Sequence, residues 1–352
     1  NTGVGYAVLT NNTTGAENTA MGQAALFNNT TGASNTAIGR SALQDNTTAS
    51  YSTAVGFKSM CTNTTGVANN AFGAFSLLNT TTGKANVAIG GCNVGAYGAS
   101  LESNTTGCCN VAVGTGALRN NTTANDNTAV GTLALINNTT GTENVAVGKN
   151  ALYANITTGL NTAIGTNALC SHNANGVDNT AVGHGALKGS TEGYYNTAVG
   201  KNALSNVTTG DNNLGFGRDS GVDAVRNITS GDNEIVIGNN SHGSAFIKID
   251  WTVTSDLRDK TEVKDVTHGL DFVNQITPIE YRFKKSREDD TPTGLTKYGF
   301  SAQEILELEG ENPVIINNQD ADNLKLTSAY LVPVLVNAIK ELKARIEVLE
   351  NE

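Results

Sequence analysis

Residues 127–143 read Asn-Thr-Ala-Val-Gly-Thr-Leu-Ala-Leu-Ile-Asn-Asn-Thr-Thr-Gly-Thr-Glu, and at Asn144 the pattern starts again as Asn-Val-Ala-Val-Gly. The same unit begins at Asn1, Asn18, Asn35, Ser52, Asn69 and Asn86, and then at Asn110, Asn127, Asn144, Asn161, Asn179, Asn196 and Asn213. The period is 17 residues, stretched to 24 once and to 18 once. A fixed spacing of this length marks one supersecondary unit stacked on copies of itself.

Within a unit, β-branched residues alternate and a Gly closes the run, which suits a brief strand. Thr128 and Val130 then share one face, while Asn127, Ala129 and Gly131 share the other. Ala134 and Leu135 supply a second apolar anchor, and Asn138-Thr139-Thr140-Gly141 supplies turn chemistry. Two large apolar side chains per unit are too few to offset the ordering of seventeen residues, so a coil needs neighbours. Small residues on one face also suit the close approach of another backbone, so the expected array is a stacked parallel β-roll of several intertwined chains. The Thr-Thr pairs admit three readings: an ice-binding face, N-x-T glycosylation acceptors such as Asn12-Thr13-Thr14, or plain turn and ladder chemistry. Their place beside Gly in the turns favours the third.

The composition changes near Ser255. Residues 1–254 hold 10 Lys/Arg and 13 Asp/Glu, the last 98 residues hold 12 and 19, and all four prolines fall in this second part. The expected organisation is therefore an array over 1–231, a β junction over 232–254 with strands at 233–238 and 244–251, and an α+β domain over 255–352. Neither part carries a basic stripe, so nucleic acid is not an expected partner. A run of eighteen apolar residues is absent, so no membrane insertion is expected. Asn1 already stands inside a repeat, so the natural N-terminus is expected upstream. Cys61, Cys92, Cys108, Cys109 and Cys170 form no C-x-x-C, and the four histidines lack ligand spacing; neither a metal nor a cofactor is expected.

The last segment, 328–352, reads as a helix with Val332, Leu335, Ile339, Leu342, Ile346 and Leu349 at a/d spacing, a short coiled-coil seam. Burial of that seam against its own domain is the alternative. Ile at a with Leu at d favours two strands in parallel coils, so the chain number must come from elsewhere.

The repeat, over residues 1 to 240, resembles the head repeats of trimeric adhesins and repeats of phage tail fibres. The tail has a more specific likeness. Ser255-Asp256-x-Arg258-x-Lys260, Gly269-Leu270-Asp271-Phe272-Val273, Pro278-Ile279-Glu280-Tyr281, Tyr298-Gly299-Phe300-Ser301-Ala302-Gln303-Glu304-Ile305 and the terminal coil together resemble the endosialidase-type intramolecular chaperone, peptidase family S74. That resemblance implies a homotrimeric tail fibre or tailspike of a phage virion, folded by a C-terminal domain that then cuts itself off. Its partners would be other tail proteins and a host cell-surface receptor, such as a glycan. Carried over by the motif, Ser255 is the nucleophile, Lys260 its base, and Thr254–Ser255 the cleaved bond, with Asp256 and Arg258 as supporting positions. A lysine can take a serine proton only where burial or a nearby cation lowers its pKa far from about 10.4. Such a peptidase turns over once and has no metabolic role. A bacterial trimeric surface adhesin, or a fibre whose tail stays on as a trimer clamp, are the alternatives.

Overall fold

The computed structural model describes residues 1–91, 97–173, 175–223, 226–242, 255–285, 287–319 and 321–351. They form two compact units, Asn1–Ser241 and His242–Glu352. In the first, fourteen three-residue strands among the described residues, β1 (Thr2–Val4) to β14 (Ile235–Ile237), pair in sequence order as one sheet. The pairing is parallel and in register. Ala129 of β8 (Thr128–Val130) lies between Ala112 of β7 (Val111–Val113) and Ala146 of β9 (Val145–Val147). The unit is thus a parallel β-solenoid, as the repeat implies.

Hydrogen bonds between coils run around most of the circumference. Thr128 N donates to Asn144 O (2.8 Å), Leu133 N to Thr115 O (3.0 Å), Leu135 N to Ala151 O (2.9 Å) and Thr139 N to Ile156 O (2.8 Å). Two columns of buried asparagines join them. Asn127 Nδ2 donates to Gly141 O (2.9 Å) and Asn127 Oδ1 accepts from Asn144 N (3.0 Å). Asn138 Nδ2 donates to the same Gly141 O (2.9 Å) and to Asn121 Oδ1 (3.0 Å). Asparagine suits this position because its amide donates and accepts at once, as a peptide group does. The threonine after the second-column asparagine joins the scheme in most coils: Thr139 Oγ1 donates to Ile156 O at 3.1 Å, as Thr122 Oγ1 does to Thr139 O, the ladder chemistry expected of it.

In eleven of the fourteen strands the central residue is an alanine that points inward, where it shares one core with the leucine column, Met60 standing in that column once. Ala129, Ala134 and Leu135 are all fully buried. This corrects one step of the sequence reasoning: the alanine face needs no second chain to cover it. The coil is narrow enough for a single leucine to span it. Leu135 does so from the left-handed region, at φ 53°, as do Leu118, Leu152 and Leu169, a conformation that costs an L-residue about 1–3 kcal/mol. Gly148 sits at φ +129°, where an added Cβ would lie 2.6 Å from the Gly165 carbonyl carbon. Only glycine allows coils to stack that closely there.

The second asparagine column is broken at His172, which is fully buried. Its Nε2 lies 2.6 Å from Gly176 O, so Nε2 carries the proton and donates. Among the described residues, Nδ1 has no partner. Burial pushes the His172 pKa below its ordinary 6.5, partly offset by that hydrogen bond. A depressed folded pKa means that the unfolded chain binds more protons below pH 6.5. The stabilisation is therefore complete above that value and is lost as pH falls, by roughly 1.4 kcal/mol per pH unit at the steepest. Thermal melts should show an acid-sensitive array, with His172→Asn removing most of the dependence between about pH 6.5 and pH 5. Equal pH dependence in both proteins would place the sensitivity elsewhere.

The second unit contains a hairpin, β15 (Pro278–Lys284) with β16 (Pro292–Phe300), and a two-residue pair, β17 (Ile316–Asn317) with β18 (Lys325–Leu326). Its helices are α1 (Leu270–Val273), α2 (Ala302–Glu309) and α3 (Leu331–Glu350). Phe272, Ile305, Ile315, Ile316, Leu331 and Val334 make a small core. Ser301 caps α2 by accepting from Glu304 N. At the other end of α2, the Glu309 carboxylate gathers the N–H groups of Val314, Ile315 and Ile316 at 2.7–3.0 Å. Of the two expected junction strands, the first is β14, the last rung of the solenoid; the second, at 244–251, lies outside the described residues.

Candidate functional site

Ser255 is the next described residue of the second unit after His242, and a single 3-10 turn, Leu257–Asp259, brings the chain back on itself. Asp256 starts that turn by accepting from Arg258 N at 2.9 Å, and Lys260 N closes it on Leu257 O at 3.2 Å. The reversal returns the Lys260 side chain to its starting point. Lys260 Nζ donates to Ser255 Oγ at 2.9 Å.

Asp256 and Arg258 clamp the turn from outside. Arg258 Nε lies 3.1 Å from both carboxylate oxygens and Nη2 lies 2.5 Å from Oδ2. The Arg258 side chain, aided by its backbone N–H, holds the Asp256 carboxyl below the usual carboxylate range, and the same contact raises the Arg258 guanidinium. The clamp therefore stays charged at neutral and mildly acidic pH. Being exposed, it sets geometry more than it stabilises. Ser255, Arg258 and Lys260 are exposed in the single chain, so water reaches the dyad. Thr254 lies outside the described residues.

The structure thus brings together four of the five positions singled out in the motif. It also gives Asp256 and Arg258 a physical role, positioning, that the motif alone does not reveal. Sequence reasoning missed the anchoring of α3. Glu341 caps α1 by accepting from Leu270 N (2.7 Å), and Asn337 Nδ2 donates to His268 O (3.0 Å). No local pattern marks either residue, because their partners lie about seventy positions away.

Helix α3 presents two faces. Leu331, Val334 and Ala338 are buried in the domain's own packing, whereas Val332, Leu335, Ile339, Leu342, Ile346 and Leu349 are all exposed in the single chain. Among the described residues, no helix is long and apolar enough to cross a membrane, and no cluster of His, Cys, Asp and Glu is placed to hold a metal.

A β-solenoid followed by a small α+β unit that carries an exposed serine–lysine pair, Ser255 and Lys260, defines the architecture. Residues 255–312 match the family model of Peptidase S74, chaperone of endosialidase. The match begins at Ser255 itself. No curated protein and no solved structure matches the chain.

Proposed function

We propose that the chain is a homotrimeric fibre of a tailed phage whose C-terminal unit gathers the copies and then detaches by one cut between Thr254 and Ser255. The observation that carries this reading is the coincidence at Ser255: the residue where the chaperone-of-endosialidase match begins is the one whose hydroxyl touches Lys260. The solenoid would be the shaft or host-contact surface, placed in the virion tail among other tail proteins and facing a cell-surface receptor.

In the reaction, Lys260 removes the Ser255 hydroxyl proton and Oγ attacks the carbonyl carbon of Thr254. The C–N bond to Ser255 then breaks, Lys260 returns the proton to the departing amine, and water hydrolyses the resulting ester to free the Thr254 carboxylate. Only a neutral amine can take that proton, and exclusion of water favours the neutral form of a lysine. Because the pair is exposed in one chain, the cut waits for neighbouring copies to exclude water. Cleavage is thereby tied to assembly.

Light scattering with mass spectrometry of the full chain tests the proposal. A three-chain particle with a new N-terminus at Ser255 is expected. Three intact chains would favour a permanent clamp, and single chains would end the trimer reading. The exposed seam of α3 gives a sharper test. Ile339→Asp with Ile346→Asp lies outside the domain core, so the unit should keep its circular dichroism, yet the protein should run as single, uncut chains.

A further inference from the structure

We infer that the outward face of the fourteen-stranded sheet is the surface along which copies of this chain pack together. The inference rests on the homotrimer proposed above and says which side of the solenoid faces inward. With each central alanine buried, the first and third residues of every strand point out. The third column reads Val, Met, Ile or Phe from Val4 to Ile237, and Ile38, Phe72, Ile89, Ile164 and Phe216 are each more than a third exposed. The first column is mostly Thr and Val.

No charged residue occurs in any of the fourteen strands. The flanking columns differ. Arg40, Lys149, Lys201 and Arg218 occupy the position after the strand-closing glycine, and Asp126 and Glu143 occupy the position before the strand asparagine. Charge is thus excluded from this face and kept beside it, the composition of an interface core with a polar rim.

The face is also uninterrupted. The long coil from Asn86 to Asn110 leaves Ala88 of β6 (Val87–Ile89) paired with Ala112, and the one after Asn213 leaves Gly215 of β13 (Leu214–Phe216) paired with Val236. Every insertion falls elsewhere on the coil.

Fourteen strands about 4.8 Å apart, each about 10 Å long, present a footprint of roughly 600 Å² before side-chain relief is counted. A stable interface takes about 800 Å² per partner, so the uncharged strand face supplies most of one. The occupant is another copy of this chain. A surface with one-strand periodicity along its whole length is matched best by one with the same period and the same columns, running parallel.

The test uses the full chain with p-benzoylphenylalanine in place of Val147 or, separately, Ile164, both on the face. The control places it at Thr140, exposed on another side of the same solenoid. Irradiation should give covalent dimers and trimers on denaturing gels from the two face positions and none from Thr140. Two face positions guard against one label disturbing its coil, which circular dichroism would reveal. A three-chain particle that links through Thr140, or through neither face position, overturns this inference and leaves the trimer standing. So does a three-chain particle whose free face slows ice growth. Single chains by light scattering would overturn both.

Discussion

Chains carrying Ser255→Ala or Lys260→Ala are expected to run as one uncut band, whereas the parent chain is expected to separate into an array and a tail beginning at Ser255. The serine variant removes the attacking oxygen and should show no cut at any time. The lysine variant removes the proposed base, an amine 2.9 Å from that oxygen, and should slow the cut by about 10²–10⁴-fold. Lys260→Arg should stay uncut as well, because a guanidinium keeps the charge and cannot give up its proton. Asp256→Asn should slow cleavage without abolishing it, since Asp256 only sets the turn through Arg258. Light scattering separates chemistry from assembly: all four variants should still form three-chain particles. Normal fragments from either alanine variant would remove the dyad from the mechanism.

Asn127→Ala should destabilise the solenoid by roughly 3–5 kcal/mol, because each buried polar group left without its partner costs about 1–3 kcal/mol. The substitution strips Asn144 N of its acceptor and removes one of the two donors at Gly141 O. Asn144 Nδ2 loses its 3.1 Å contact to Asn127 Oδ1 at the same time. Since each coil touches only its neighbours, the weakness should be local. Denaturant unfolding with limited proteolysis would show it as new cuts near 127–144. The exposed Thr140→Ala in the same coil should change stability by under about 0.5 kcal/mol. Equal effects from the two substitutions would show that the asparagine column is decorative.

The strands were legible from alternation alone, since Thr128-Ala129-Val130 admits one inward and one outward face. The fate of the inward face was not. A linear motif shows that Ala129 and Leu135 are apolar, but not that the chain turns tightly enough for one to cover the other. The turn depends on leucines in a left-handed conformation, and residue preference argues against that conformation for leucine. The same blindness hid the second asparagine column: Asn138 in Asn-Asn-Thr-Thr-Gly looks like a turn residue, and only stacking shows that it points inward. In the tail, the residues of the dyad were legible as a motif, while their contact needed the 3-10 turn. Helix α3 carries both a seam and an anchoring face, and a/d spacing describes only the seam.

The coil between Asn86 and Asn110 carries seven residues more than the standard unit, yet Asn110 N still bonds to Asn86 Oδ1 at 3.1 Å. The repeat therefore takes in seven extra residues while the strands on either side keep their register. A peptide spliced at the equivalent position of any regular coil should ride outside the ladder, at a height set by the coil chosen. Several such peptides would then stand at known multiples of one strand spacing, which makes this backbone a molecular ruler for arranging epitopes.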